Sequence, residues 1–408
     1  MEQEKRLNIL FLTLGRVEHL ETHGIYSDLL RCLRDRGHCV CTVSPREKRT
    51  GLPTRYVEEE GVRKLFVRTG NLTGQVNLIE KGLATLDVDR RFIRGIKHYF
   101  RDIRFDLVLY TTPPITFVGT VEAIKRRDGA RTYLLLKDIF PQNAVDIGMM
   151  RTTGPMEIMY RFFRRKEKRL YAVSDRIGCM SPANAAYLCR ENPEIDDKKV
   201  EVCPNSLEPA DSSLTPERKQ ALRVKYGIPM DRTVFLYGGN LGKPQGIPFL
   251  IDCLRAQKNP GIFFVIVGGG SEFPVLERFV REEQPANVLL LQKLQKEDYE
   301  ALAGAADVGL IFLDHRFTIP NFPSRLLSYL EAKLPVLAVT DPNTDVGAIA
   351  VKEGFGWFCE SNDPTVFVRQ TDEICKTDLK AAGERGHEWL LANCDVRDAC
   401  DRILAACR

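Results

Sequence analysis

The sequence predicts an α/β protein made of two doubly wound parallel-sheet, Rossmann-like domains whose ligand edges face a cleft. Three observations lead there. At 408 residues the chain is too long for one ordinary core. Short apolar runs of strand length alternate with helix-period segments, first through one half and then again through the other. Between the two series lies Glu208–Thr215, a short polar stretch containing a proline, which reads as a linker. The expected boundaries are 1–207 and 208–392, with a last helix at about 393–408 packing back on the first domain.

Composition narrows the class. Apolar residues make up 44% and charged residues 28%, as in globular proteins. No apolar run reaches the length of a membrane span, and Leu7–Leu14 is short, lacks a cleavage site and reads as a first strand rather than a signal peptide. The 12 cysteines are scattered without a C-x-x-C pair, which suits free thiols in a reducing cytoplasm and offers no zinc site. A net charge of +4 is modest, so local clustering matters more than the total.

In the first half, Leu7–Leu14 leads into the loop Gly15–Gly24, a helix over about Ile25–Arg36 closed by Gly37, and a strand His38–Val43. That loop, at the carboxyl edge where open α/β sheets bind ligands, holds Arg16, His19, His23 and Gly24. Strands follow at Lys64–Val67, Leu107–Tyr110 and Thr132–Leu136, with helices near Arg90–Phe100 and Thr116–Arg126. Lys137 and Asp138 leave the last of these strands together, either as an active-site element or as a surface ion pair. A helix Pro155–Ala172, a strand Arg176–Met180, a helix from Pro182 and a strand Val200–Val202 complete the half.

The second half restarts with Thr233–Tyr237 and a Gly-rich loop, Gly238–Gly246, then a helix to Leu254, a strand Ile262–Val267 and Gly268–Gly270. Glycine after a buried strand lets backbone approach a ligand closely. Neither loop is a G-x-G-x-x-G or a P-loop. Strands Val288–Leu291 and Val308–Phe312 lead to the stretch Asp314–Val339; strands Val336–Val339 and Trp357–Phe358 and two helices around Asn393 end the chain. Within that stretch a helix is expected from Ser324 as N-cap, with Leu326, Leu327, Leu330 and Leu334 inward. Ser324, Ser328 and Glu331 fall within about 60° of one another on a second face. Free N–H groups at the tip with Arg325 would form an anion site. Glu331, roughly 10 Å along the axis, would bind vicinal hydroxyls. Diphosphate beside ribose is the geometry of a nucleotide diphosphate; an ordinary amphipathic helix is the alternative.

Taken in order, several segments resemble a known family. They are Thr22-His23-Gly24 before a helix ending Arg36-Gly37-His38, Asp138–Gly148, Ser174–Ile177 with Met180–Pro182, Pro204–Ser206, Tyr237–Gly242, Val267–Gly270, Ala306–Val308 and Pro323–Val336. In this order the chain resembles GT-B fold glycosyltransferases of family 4, closest to bacterial enzymes of capsule, O-antigen or exopolysaccharide assembly. The resemblance implies transfer of a hexosyl or N-acetylhexosaminyl group from a nucleotide diphosphate sugar, with uridine diphosphate expected, to an acceptor hydroxyl. It further implies retention of configuration, no cofactor and no required metal. Donor-side residues would be Gly239, Asn240, Gly269, Ser324, Arg325, Leu326 and Glu331; catalytic residues Asp138, His23 and Lys243; acceptor-side residues Arg16, Gly24 and Lys137. Two departures stand out. Pro323 occupies the place of the first of the family's two glutamates, and Asn240 and Gln245 replace an Arg and a Lys that meet the diphosphate, leaving Lys243 and Arg325 as the nearest cations.

The rival readings are a nucleotide-sugar 2-epimerase, which needs no acceptor, and a non-catalytic sugar-nucleotide-binding subunit. Two basic segments with interleaved aromatics, Met156–Tyr171 and Asp89–Arg104, suit an anionic membrane surface. A saccharide acceptor carried on a polyprenyl diphosphate would match a cytoplasmic protein held peripherally on the inner face of the cell membrane. Groove-reading motifs for nucleic acid are absent.

Overall fold

The computed structural model describes residues 5–15, 17–72 and 78–407, the side chains of 78–86 excepted. The chain divides into two compact units, Met1–Glu208 with Asp395–Arg408, and Pro209–Cys394.

Among the described residues, eight strands form the sheet of the first unit: β1 Asn8–Leu12, β2 Cys39–Glu47, β3 Arg55–Glu59, β4 Val62–Thr69, β5 Leu107–Thr111, β6 Arg131–Leu136, β7 Arg176–Cys179 and β8 Val200–Val202. Their order is β3-β4-β2-β1-β5-β6-β7-β8, parallel except for β3 against β4. The central strands are Leu-, Ile- and Val-rich because helices cover both faces. Ile9 and Phe11 of β1 are buried under Leu29, Leu30 and Leu33 of the helix Ile25–Asp35. The same cluster takes in Val396 and Ile403 of the last helix, Val396–Ala405. That helix is fixed by the Val396 N–H donating to the Leu207 carbonyl at 2.8 Å and by the Arg36–Asp401 ion pair.

Strand β3 carries no apolar run, being an exposed edge strand reading Arg-Tyr-Val-Glu-Glu. It is closed onto β4 by Glu60 and Gly61, both at positive φ (55° and 72°), as a two-residue hairpin demands. The helix expected near Arg90–Phe100 runs Leu78–Tyr99.

The second unit has six parallel strands: β9 Thr233–Asn240, β10 Ile262–Gly269, β11 Val288–Gln292, β12 Val308–Phe312, β13 Val336–Thr340 and β14 Gly356–Glu360, ordered β11-β10-β9-β12-β13-β14. In each unit the winding reverses once, between β1 and β5 and between β9 and β12. A doubly wound sheet opens its ligand crevice at that reversal, beyond the carboxyl ends of the strands.

Candidate functional site

In the first unit, the reversal brings the ends of β1, β5 and β6 together. The Thr112 hydroxyl, just past β5, accepts the N–H groups of Lys137 (3.0 Å) and Asp138 (3.2 Å), which fixes the exit of β6. The two side chains then part, and among the described residues they form no ion pair, so the surface pair admitted by the sequence is absent. Asp138 Oδ1 accepts from Asn143 Nδ2 at 2.7 Å. Burial raises its carboxyl to about 6 against the opposing hydrogen bonds from Asn143 and the Ile139 N–H. Lys137 Nζ donates to Asn205 Oδ1 at 2.5 Å and lies 4.5 Å from the Tyr26 ring centroid. Burial lowers its ammonium to about 7.

The first loop is tied down by a residue that sequence reasoning missed. Asp28 has a fully buried carboxylate that meets His23 Nδ1 at 2.9 Å and Arg31 Nη2 at 2.9 Å. It also accepts the Gly24 N–H at 3.0 Å and the Glu208 N–H at 2.9 Å. Burial alone would raise this acid; the bonds from His23, Glu208 and Gly24 hold it below its usual value. Asp28 therefore sets the orientation of His23 and pins Gly24 at the helix start. In the sequence it looks like an ordinary first-turn acid favoured by the helix dipole. Arg16 lies outside the described residues.

In the second unit, glycines crowd the reversal. A Cβ on Gly268 would lie 1.9 Å from the Gly239 carbonyl oxygen, and one on Gly270 would lie 2.3 Å from that of Leu241. The Gly238 position is filled by the Tyr299 ring, 2.2 Å from where its Cβ would stand. Gly269, singled out from sequence, is the least constrained: its nearest neighbour would be Lys293 Cβ at 3.8 Å. Asn240 and Gln245 answer each other. Asn240 Nδ2 and the Gly242 N–H both donate to Gln245 Oε1 at 3.1 Å, so the two neutral residues brace the loop. Lys243 is exposed on it.

The helix tip differs from expectation. The helix is Arg325–Glu331, and Ser324 has helical dihedrals (φ −64°, ψ −18°) with no side-chain cap, because an N-cap hydroxyl reaches back only from extended backbone. Ser324 is exposed, and the Leu326 and Leu327 N–H groups donate to Pro323 (3.2 Å) and Ser324 (3.1 Å), so they are not free for an anion. Leu326 is core. Glu331 is only 5% exposed, with Oε1 accepting the Ala210 N–H at 3.2 Å and its carbonyl the Ser212 N–H at 2.9 Å. The positive charge is carried by the Arg325 side chain, whose guanidinium lies over the Tyr237 ring, 4.5 Å from its centroid. It stands 3.5 Å from where a Gly239 Cβ would be. Arg325 Nη1 is buried without a hydrogen-bond partner among the described residues. Tyr237 and Tyr299 were not legible as site residues, since they read as ordinary core aromatics. Among the described residues no group of three or more His, Cys, Asp or Glu could hold a metal ion.

Residues 218–389 match the family model described as glycosyl transferases group 1. The probable glycosyltransferase WbjE of Pseudomonas aeruginosa is 26% identical over 306 residues, 75% of this chain and 74% of that protein. The sucrose-phosphate synthase of Thermosynechococcus elongatus shares the fold with a TM-score of 0.76 at 16% identity, over 98% of each chain. Anabaena HepE, solved in complex with UDP-glucose, does so with a TM-score of 0.70 at 14% identity, over 98% of this chain and 99% of that one. On the family match, the relative and the shared architecture, the chain is a glycosyltransferase of the GT-B fold whose second unit carries a group 1 glycosyl transferase domain.

Proposed function

We propose that this glycosyltransferase moves a sugar, with retention, from a uridine diphosphate sugar to a hydroxyl of a lipid-linked saccharide in bacterial surface polysaccharide synthesis. The observation that carries the donor side is Arg325. A buried guanidinium nitrogen without an acceptor is costly, and an anion seated on the Gly238–Gly239 turn would satisfy it. Because Asn240 and Gln245 are engaged with each other, the diphosphate charge falls to Arg325 and the exposed Lys243, and no metal is needed. Glu331 is assigned to the ribose hydroxyls. HepE, bound to UDP-glucose on the same fold, supports uridine as the nucleoside.

Attack occurs on the face the leaving group departs from. The anomeric carbon–oxygen bond to phosphate breaks as the bond to the acceptor oxygen forms, and the departing phosphate takes the acceptor's proton. Asp138 and His23 orient the acceptor. The developing charge is met by positioned cations.

The lipid-linked acceptor is supported by the helix Glu157–Val173, where Ile158 (78% exposed), Met159 (42%) and Phe162 (37%) face outward. Arg161, Lys168 and Arg169 beside them already pair with Glu157, Glu194 and Glu122. The apolar residues therefore weigh more than the charge. The second basic segment differs: Phe92, Ile96 and Phe100 are buried, and the exposed Tyr99 (38%) stacks on Tyr56 with ring centroids 5.8 Å apart, so most of its interleaved apolar residues pack inward rather than toward a membrane. Among the described residues no helix is long and apolar enough to cross a bilayer.

The test is release of nucleoside diphosphate from uridine, guanosine and adenosine diphosphate sugars, with and without a polyprenyl-diphosphate saccharide, in EDTA. Release that needs both donor and acceptor and survives chelation is expected. Formation of an epimer from donor alone, or nucleotide binding without turnover on any acceptor, would overturn the proposal. In parallel, sedimentation with anionic vesicles should fall when Ile158, Met159 and Phe162 are all replaced by Ser; equal recovery of both proteins in the supernatant would remove the membrane.

A further inference from the structure

Lys137 is half-buried, and an ammonium drawn partly out of water needs a counter-charge, as two other lysines of the first unit have. Lys64, fully buried, pairs with Glu60, and Lys125 pairs with Asp175 at 2.8 Å. Lys137 does not. Its Nζ has the neutral Asn205 Oδ1 at 2.5 Å and the face of Tyr26, and among the described residues no carboxylate stands within ion-pair distance. The nearest by sequence, Asp138, is turned toward Asn143. Asn205 is itself only 6% exposed, so the amine is held in place. An ammonium has three donors, and Asn205 occupies one. The site lies at the winding reversal, where this fold class takes its ligands.

We propose that the acceptor supplies the missing charge: Lys137, braced by Asn205 and Tyr26, is a subsite for a phosphate or carboxylate group on the acceptor saccharide. This rests on the transferase reading for the word acceptor; the anion requirement stands on the local charge balance alone. The burial that lowers the Lys137 ammonium to about 7 is what an arriving anion would reverse.

The test is binding of glucose 1-phosphate, glucuronic acid and neutral glucose to the full chain, followed by ligand-observed NMR with the nucleotide site saturated by UDP. UDP binding is measured first, and its absence would count against the donor reading alone, the three arms then being run without it. At least one anionic probe should bind better than glucose. Its affinity should drop about tenfold or more in Lys137→Met, as loss of a charged hydrogen bond implies, and survive largely in Lys137→Arg, with UDP binding unchanged in both. Preference for glucose 1-phosphate assigns a phosphate-bearing acceptor, and preference for glucuronic acid an acidic saccharide. Anions that bind no better than glucose, or that bind Lys137→Met as well as the parent, would overturn the proposal.

Discussion

Glu331 shows how one side chain can be placed correctly by spacing and still be misjudged in its surroundings. Helical periodicity puts it on the face of Ser328, and there the structure buries it against Ala210. Glu331→Ala should therefore cost about 1–3 kcal/mol of stability, as loss of a buried hydrogen-bond acceptor does, in addition to weakening nucleotide binding. Glu331→Gln, which keeps an acceptor oxygen, should recover most of the stability. Urea denaturation decides this, and a parent-like midpoint for the alanine variant would exclude the role. Lys137 and Asp138 give a signed pH dependence. Asp138 is raised to about 6, so its contribution is fully present below the unfolded carboxyl value and is lost as pH rises through 6. Lys137 is lowered to about 7, so folding releases its proton and stability gains as pH climbs from 7 toward the unfolded lysine value. Lys137→Met should flatten the alkaline limb and Asp138→Asn the acid one in denaturation midpoints collected across pH; limbs unchanged by either substitution would contradict the assignments. The identities of Lys137 and Asp138 were legible because they follow the end of β6, and that of Arg325 because it opens a helix after a proline and a serine. Their partners were not: Asn205 and Tyr237 are joined to them only by the fold, and no local spacing announces such pairs.

At the scale of elements, buried strands with apolar runs were readable throughout, whereas polar β3 was not, because an exposed edge strand needs no apolar face. Its one signal was the Glu60-Gly61 turn. The Gly-rich strand ends were also legible, but not which glycines matter, since that depends on the neighbouring strand. Gly268→Ala must push its methyl into the Gly239 carbonyl and should destabilise by about 1–3 kcal/mol through overpacking. Gly269→Ala has room and should stay close to the parent. Thermal unfolding of the pair checks this; equal stability of the two variants would contradict the close approach of β9 and β10. The start of the helix Arg325–Glu331 falls where Ser324 marks it, but the capping bond expected of Ser324 is absent for a related reason. Ser324 has the right chemistry for a cap but helical backbone, and only the fold determines that.

For the whole molecule, the two series of alternating elements become two separately wound units, each with its ligand edge at a single reversal of strand order. The return of Val396–Ala405 to the first unit places the end of the chain on the helix that carries Asp28. The central claim is that the second unit holds a nucleotide diphosphate through Arg325. Isothermal titration of UDP and of uridine, in EDTA, into the parent and Arg325→Met tests it most directly. The parent should bind UDP at least about tenfold more tightly than uridine, the scale of one charge-assisted contact. That ratio should collapse in Arg325→Met with uridine affinity preserved. Equal affinity of the parent for UDP and uridine, or an undiminished ratio in the variant, would contradict the account.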